Sequence, residues 1–234
     1  MRMRIVSVLA FLVASVTTPC LAQVLWYGGD AGALSLFNNS TQNDGSSTSR
    51  VLDDFQVPGG QRWHVTALFS NNVTVYPLST DPVTQAEWSI RTGVAPGVFG
   101  TVLYSGISPV SITPTGRVYG PYTEYSFTVS GLSFDLDPGV YFMTVSPITT
   151  IGVYSVGGSN GANSVGLPGA PGFFQEYVQA SPPLHFMSQV STTGNASIGV
   201  IGTAQPAPVP AFSAVGYVAL LAALAVLGVM AVKR

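Results

Sequence analysis

The sequence predicts an all-β chain: an antiparallel β-sandwich of the jelly-roll type, set between an N-terminal signal helix and a C-terminal transmembrane helix. Three observations lead to this prediction. Short segments between residues 23 and 205 alternate apolar and polar residues with a period of two. Gly, Pro and Asn separate these segments, as they do between strands. No stretch of this region repeats apolar residues at helical spacing over three turns.

Charged residues are few and unevenly distributed. Only 8% of the 234 residues are charged, against about 25% in typical globular domains. All ten acidic residues but only four basic residues lie in residues 23–205, which therefore carry a net charge of −6. A folded region without a basic face argues against binding of nucleic acid. The same region has no cysteine, which excludes disulfides and a cysteine metal site there.

Residues 1–22 are typical of a secretory signal peptide. Arg2 and Arg4 give the positively charged start, and residues 5–16 are apolar, too short a run to cross a membrane. Small residues at positions −3 and −1 predict cleavage between Ala22 and Gln23. Lipid attachment at Cys20 is the alternative, but residues 17–19 lack the small, Leu-led sequence that this pathway requires.

The strands follow in order along the central region, residues 23–204. A pattern typical of about nine to twelve strands includes these segments: residues 24–27, 51–57, 62–69, 87–91, 100–106, 122–129, 132–136, 139–145, 184–190 and 196–201. Within 62–69, alternation predicts that Trp63, Val65, Ala67 and Phe69 share the buried face. The polar segment 38–50 and the segment 157–172, rich in Gly, Ser and Asn, are predicted to be loops.

The C-terminal end has three parts. Residues 205–213 form a Pro- and Ala-rich linker, residues 214–232 carry no charge, and Lys233-Arg234 is a basic end. Nineteen helical residues span about 28 Å at ~1.5 Å per residue, close to the ~30 Å hydrocarbon core of a bilayer. Because positive charge is retained in the cytoplasm, this helix would hold the β-domain outside the inner membrane.

A short motif, Val209-Pro210-Ala211-Phe212-Ser213-Ala214-Val215-Gly216, precedes the apolar segment. Together with the helix and the basic end, it resembles the bacterial C-terminal sorting signals of the IPTL-CTERM type, relatives in architecture of the PEP-CTERM signals. Val209, Pro210, Ser213 and Gly216 match the family pattern, whereas Ala211 and Phe212 differ from it. The resemblance implies export, then recognition and removal of the tail by a sorting enzyme of the inner membrane. An ordinary, unprocessed anchor is the alternative.

Asp53 and Asp54 are the first candidates for a bound metal. Adjacent side chains of a strand point to opposite faces, so the two carboxylates cannot bind one ion through a single face. One of them could bind Ca²⁺ together with a loop oxygen such as that of Asp44. In the alternative interpretation, one aspartate faces water and the other accepts hydrogen bonds. No other cofactor is predicted.

The remaining candidates are two histidines and two carboxylates. His64 falls on the polar face of its strand and is predicted to be solvated, far along the chain from His185. Glu87 beside Trp88 and Glu124 beside Tyr125 have the composition of a carbohydrate site. Each Glu would nevertheless point away from its aromatic neighbour, which favours buried aromatic rings and outward-facing carboxylates.

These patterns predict an exported, membrane-sorted protein of the cell surface or extracellular matrix, with a structural or adhesive role and no enzymatic activity. The expected partners are the membrane and the sorting enzyme. Two alternatives are a carbohydrate-binding module for exopolysaccharide and, less favoured, a secreted hydrolase. The three tryptophans distinguish the first alternative: a coplanar, exposed pair among Trp26, Trp63 and Trp88 would support sugar binding, and three buried indoles would count against it.

Overall fold

The computed structural model describes residues 21–74, 78–168 and 172–207. Within these ranges the chain forms fifteen strands and no helix, which confirms the all-β prediction. The predicted signal helix, transmembrane helix and sorting motif lie outside the described residues. In the described ranges, no helix is both long and apolar enough to cross a membrane.

The strands are, in chain order, β1 (Gln23–Tyr27), β2 (Ala31–Asn38), β3 (Ser40–Gln42), β4 (Ser47–Val57), β5 (Gln61–Thr74), β6 (Gln85–Ala95), β7 (Val98–Tyr119), β8 (Tyr122–Leu136), β9 (Gly139–Thr149), β10 (Ser155–Ser159), β11 (Leu167–Pro168), β12 (Phe174–Gln179), β13 (Leu184–Gln189), β14 (Asn195–Ala196) and β15 (Ile198–Pro206). The segments predicted at 122–129 and 132–136 form the single strand β8.

Pairing joins the strands into one large, mixed sheet. Its main order is β1-β15-β5-β8-β7-β6-β9-β3-β4-β12-β13, with the β3–β9 pair parallel. The long strand β7 changes partner midway: residues 98–109 pair with β6, and residues 110–119 pair with β8. Likewise β4 pairs first with β12 and then with β9. We call β1, β15, β5 and β8 one half of this sheet and β6, β9, β3, β4, β12 and β13 the other half, with β7 between them. Residues of both halves pack in one core cluster.

An aromatic stack crosses that core. Phe55 of β4 lies parallel to Trp63 of β5, with ring centroids 5.7 Å apart and planes within 1°. Trp26 and Tyr141 pack on Phe55 at 5.5 Å and 5.8 Å. Since β4 and β5 are not hydrogen-bonded neighbours in the main order, the stack contacts both halves of the sheet. Each such ring pair contributes about 0.5–1.5 kcal/mol beyond the burial of its area.

A bulge in β5 changes which residues face this core. Against β15, the pairing passes from Val65–Gly202 to Ala67–Ile201, so Thr66 is an extra residue of β5. Trp63 and Val65 lie in the main core as predicted, but Leu68 then takes the next core position. Phe69 instead packs against Tyr27, with ring centroids 5.5 Å apart. The predicted alternation is therefore wrong after Val65, because one extra residue in a strand reverses every following face.

Both predicted loops contain strands. Residues 38–50 include β3 and the beginning of β4, and residues 157–172 include part of β10 and all of β11. The polar strand segments are stabilised because their hydroxyl groups find backbone partners. For example, the Ser49 hydroxyl donates to the Asn38 carbonyl at 2.9 Å. A polar sequence therefore did not distinguish a loop from a strand here. Between β3 and β4, only residues 43–46 form a turn.

The two ends of the described chain leave the sheet at the same end. Gln23 of β1 lies opposite Gly202 of β15, and Pro206 lies opposite Gln61. The Ala207 amide donates to the Gly60 carbonyl at 2.8 Å. We call this the proximal end; it also carries the turns at 58–60 and 137–138. The turns at 43–46, 120–121 and 150–154 lie at the opposite, distal end. β15 continues to Pro206, past the predicted domain boundary at residue 204.

Candidate functional site

A groove of about 320 Å³ runs along β6, on the side of the sheet that faces away from the main core. Ala86 and Ile90 of β6 point into that core, so the alternate residues Glu87, Ser89 and Arg91 point into the groove. On one side β9 contributes Thr144, which lies opposite Ser89. On the other side β7 contributes Val102, Ser105 and Ile107. We call this feature the β6 groove.

The β6 groove is lined by Arg50, Arg91 and Glu87, and both arginines also pair with Glu176, which does not line it. The Arg50 guanidinium donates to Oε2 of Glu87 from Nε at 3.0 Å and from Nη2 at 2.7 Å. The Thr41 hydroxyl donates to the same oxygen at 2.8 Å. Arg50 also donates to Oε2 of Glu176 at 3.2 Å, and Arg91 donates to that oxygen at 2.8 Å. Two arginines and two glutamates from three strands thus form one network with no net charge.

Glu176 is the buried centre of this network. Its Oε1 lies 3.0 Å from Nε2 of His185, whose ring packs against Phe99 with centroids 3.9 Å apart. Burial acts to raise the pKa of Glu176, but the hydrogen bond with His185 and the charges of Arg91 and Arg50 outweigh it. The pKa of Glu176 is therefore held below its usual value. The carboxylate stays ionised at neutral pH and fixes both arginines.

A small apolar cluster explains how charged groups come to be buried on an outer face. It consists of Leu52, Val94, Phe142, Phe174 and Met187, with Phe99 packed against it. These residues come from β4, β6, β9, β12 and β13, so side chains of five strands together form this buried cluster. Charge pairs sheltered in this way are held in one geometry, because an unpaired charge there would be costly.

Thr144 has an unusual place in the groove. The residue is only 1% exposed, and its hydroxyl finds no hydrogen-bond partner among the described residues. Leaving a buried hydroxyl unpaired costs about 1–3 kcal/mol. Because Thr144 lines the β6 groove, a molecule that enters the groove could pair with this hydroxyl once the side chain turns toward it.

The depressed pKa of Glu176 predicts how acid affects stability. A carboxylate with a folded-state pKa below its unfolded value of about 4.3 stabilises the fold above that value. This contribution is lost as pH falls through the folded-state pKa. Wild type should lose unfolding free energy as the pH falls below ~4.5. The Glu176→Gln variant should lose less, because it lacks this carboxylate. Urea unfolding of wild type and variant at a series of pH values measures this difference. If the unfolding free energy of both proteins fell equally steeply with pH below pH ~4.5, the prediction would be contradicted.

A second buried network lies elsewhere, between β1, β7 and β8. Glu124 is fully buried, and its Oε2 accepts hydrogen bonds from Nε of Arg117 and from the Thr115 hydroxyl, each at 2.6 Å. Arg117 also reaches Oδ1 of Asp30 at 2.6 Å, and Tyr27 donates to that oxygen at 2.8 Å. Burial is the main cause that raises the pKa of Tyr27 to about 12.

The two glutamates proposed from the sequence therefore belong to different networks. Glu87 lines the β6 groove and is half-buried, whereas Glu124 lies in the interior with Arg117. The prediction that both carboxylates face outward is wrong for Glu124. The Glu124 side chain points inward, where Arg117 and Thr115 of the neighbouring strand β7 donate hydrogen bonds to its carboxylate.

The aspartates considered for calcium do not come together. Asp53 is fully buried: its Oδ2 accepts from the Ala196 amide at 2.6 Å and its Oδ1 from the Asp54 amide at 2.9 Å. Burial is the main reason that the pKa of Asp53 lies well above its usual value. Asp54 is buried too, so the interpretation that one of the pair faces water is wrong.

Asp44 lies in the turn before β4, where its Oδ1 accepts from the Ser46 amide at 2.9 Å. Six strand residues, about 20 Å, separate Ser47 from Asp53, so Asp44 and Asp53 cannot share an ion. Across the ranges that the structure describes, no three His, Cys, Asp or Glu side chains form a group that could hold a metal ion.

The histidines also lie in separate places. His64 is half-exposed on β5, with Nδ1 2.7 Å from Oδ1 of Asp135, whereas His185 belongs to the β6 groove network. Ala22 and Gln23, the predicted cleavage site, are exposed at the proximal end. Val209, Pro210, Ser213 and Gly216 lie outside the described residues.

Two of the three tryptophans are buried and the third is half-buried. Trp26 and Trp63 are buried in the main core, at 1% and 3% exposure. Trp88 is half-buried and stacks on Phe134 at 6.0 Å, and Phe134 in turn stacks on Tyr104 at 4.3 Å. The three indoles therefore do not provide a coplanar exposed pair, and a sugar site of that kind is not formed by them.

Sequence reasoning missed most of the β6 groove. Glu87 and Arg91 could have been associated, because alternation places residues four apart on the same face of a strand. Arg50, Thr144 and Glu176 come from other strands, and only the strand pairing brings them to β6. Compared with known proteins, the chain matches no family model, no curated sequence and no solved structure, so its function is inferred from the chemistry of these residues.

Proposed function

We propose that this chain is exported and displays its β-domain from the inner membrane or, after removal of the tail, at the cell surface or in the extracellular matrix. Its role is structural or adhesive, without catalysis. In this proposal residues 1–22 direct export, residues 214–232 hold the chain in the membrane, and a sorting enzyme recognises Val209, Pro210, Ser213 and Gly216. The domain itself is an antiparallel, jelly-roll-like sandwich.

The observation that carries the proposal is the common exit of both chain ends. Gln23 and Pro206 both lie toward the proximal end, where β15 continues toward the linker. A domain tethered through Ala207 would therefore turn its distal end outward. The distal turns at 43–46, 120–121 and 150–154 would be free to meet a partner.

A carbohydrate partner is the second candidate, and the β6 groove is the feature that favours it. The groove joins donors and acceptors of both charges in a cleft of the size that ligands occupy. A secreted hydrolase would need a histidine and a nucleophile converging in a cleft, with an orienting carboxylate. His185 lies with Glu176 and His64 with Asp135, in separate parts of the domain, and we propose no catalytic step for either pair.

Intact mass of the protein recovered from its native host tests the proposal. Membrane and medium fractions are measured separately. We expect a chain that begins at Gln23 and ends near residues 209–216, with or without an added group at its end. Such a mass would show that the leader and the tail are removed as proposed.

Two outcomes would contradict parts of this proposal. A mass that runs to Arg234, found in the membrane fraction alone, would exclude processing and leave an ordinary anchor. A mass that begins at Met1 in a cytoplasmic fraction would exclude export altogether. The lipid-attachment alternative predicts a third result, a chain that begins at a modified Cys20.

A further inference from the structure

We propose that the β6 groove binds an uncharged, hydroxyl-rich segment of a carbohydrate. This inference deepens the proposed display function, because it names the class of partner that an exported domain would meet. It depends on that function only for its biological setting. Binding by the groove itself is a property of the folded chain, whether or not the tail is removed.

The charges of the groove determine the kind of ligand. Arg50 and Arg91 are balanced by Glu87 and Glu176 through contacts of 2.7 to 3.2 Å. Glu87 lines the groove beside the two guanidinium groups, and Glu176, which does not line it, neutralises the second positive charge through its contacts with both arginines. Since charged groups are costly to bury beside a like charge, an uncharged polar ligand fits best.

Hydrogen-bonding groups remain available in this neutral network. Each guanidinium has five N–H donors. Arg50 donates to Glu87 and Glu176, and Arg91 donates to Ser89, Phe99 and Glu176, in three bonds each. The hydrogen bonds of Glu87 within the described chain all go to Oε2, which leaves Oε1 as an acceptor.

A sugar ring matches this mixture of donors and acceptors. Each hydroxyl group both donates and accepts, and adjacent hydroxyl groups can bridge a guanidinium and a carboxylate. The aliphatic rim adds apolar contact for the ring's C–H groups, since Val102 and Ile107 are 49% and 59% exposed.

Thr144 independently points to an occupant. Thr144 lines the groove, and its buried hydroxyl is unpaired within the described residues, although the Ser146 hydroxyl on the same strand donates to the Ser49 carbonyl. Once the Thr144 side chain turns toward the groove, a ligand hydroxyl would pair with it and remove the cost of its burial. The volume of about 320 Å³ is at the low end of the ~300–1,000 Å³ range for small-molecule sites, which suits one or two sugar rings of a longer chain.

The position of the groove suits binding to a polymer. Arg50 is three residues from the start of β4, about 10 Å from the distal end. A polysaccharide could therefore reach the groove while the proximal end faces the membrane.

The test is binding of the protein, in the form in which its host makes it, to an array of immobilised polysaccharides. The array contains neutral glucans and galactomannans as well as uronic-acid polymers. The protein is recovered from its native host, and any detergent must lack a sugar headgroup, because such headgroups would compete. We expect retention on at least one neutral polymer. The Thr144→Val variant keeps the side-chain shape and removes the hydroxyl; it should bind that polymer about tenfold more weakly.

Two further variants make the test specific. Thr113→Val, at an exposed position of β7 outside the groove, is the matched control and should bind as wild type. Glu87→Gln keeps the shape of the side chain but exchanges an acceptor oxygen for a donor, and should also weaken binding. The melting midpoint of Thr144→Val should equal or exceed that of wild type, since an unpaired buried hydroxyl has been removed.

Several results would overturn the inference. They are retention on uronic-acid polymers alone, no retention on any polymer, or full binding by Thr144→Val together with Glu87→Gln. The intact-mass experiment has no bearing on these results. Failure of carbohydrate binding and failure of export are therefore distinguished.

Discussion

Replacing Phe55 with alanine is expected to lower the free energy of unfolding by about 4 kcal/mol, within the 3–5 kcal/mol typical of buried Phe→Ala changes. Phe55 is fully buried and touches Trp26, Trp63 and Tyr141 from both halves of the sheet. Removing its ring takes away three aromatic contacts and leaves a cavity that rigid strands cannot close. A loss of this size is a large part of the 5–15 kcal/mol that stabilises most domains.

Equilibrium unfolding in urea measures this change, followed by tryptophan fluorescence and by circular dichroism. Two signals are needed because Trp26 and Trp63 contact Phe55 directly, so their native emission will change as well. Phe186→Ala is the control: Phe186 is exposed on β13, and we expect less than about 1 kcal/mol. If Phe55→Ala and Phe186→Ala lowered the free energy of unfolding by the same small amount, contacts of Phe55 would not be what holds the two halves of the sheet together.

Replacing Arg117 with methionine is expected to cost about 3 kcal/mol. The change leaves the carboxylate of Glu124 fully buried without its counter-charge. Breaking a buried pair in this way costs about 3–5 kcal/mol, and we take the lower end because Arg117 itself is 29% exposed. Adding Glu124→Gln to this variant should restore much of the loss, since the remaining group is then uncharged.

Arg62→Met provides the matched control for the Arg117 variant. Arg62 also pairs with two carboxylates, Asp135 and Asp137, but all three groups are substantially exposed. Pairs of this kind contribute about 0–1 kcal/mol. Urea unfolding of the two single variants and the double variant at neutral pH makes the comparison. Equal losses for Arg62→Met and Arg117→Met would mean that burial of Glu124 does not govern the effect.

The sequence predicted the strands well where their two faces differ in polarity. The segment at 62–65 has one apolar and one polar face, and it was placed correctly with Trp63 and Val65 inside. Prediction failed at Leu68, because a bulge depends on the partner strands β8 and β15 and leaves no local pattern. It failed again at residues 47–50, where both faces of β4 are polar.

The candidate site was predictable only in part, for a related reason. Glu87 and Arg91 lie on one strand, so their shared face follows from alternation alone. Glu176 is 85 residues from Arg91 in the chain and reaches it through the pairing of β4 with β12 and β9. Long-range strand order of this kind is set by the whole core. The aspartates show the opposite error: Asp53 looked like an ion ligand by type but serves as a buried acceptor for the Ala196 amide.

The position of β15 also decides how the domain would respond to mechanical load. In the proposed arrangement the tether follows Pro206, the last residue of β15, so tension on it would load this strand directly. β15 is hydrogen-bonded on both sides, to β5 from Ile198 to Pro206 and to β1. Antiparallel hydrogen bonds lie across the strand direction, so such a pull shears them together and does not peel them one at a time. In the proposed setting at a cell surface, flow or traction would thus be resisted by two rows of bonds at once.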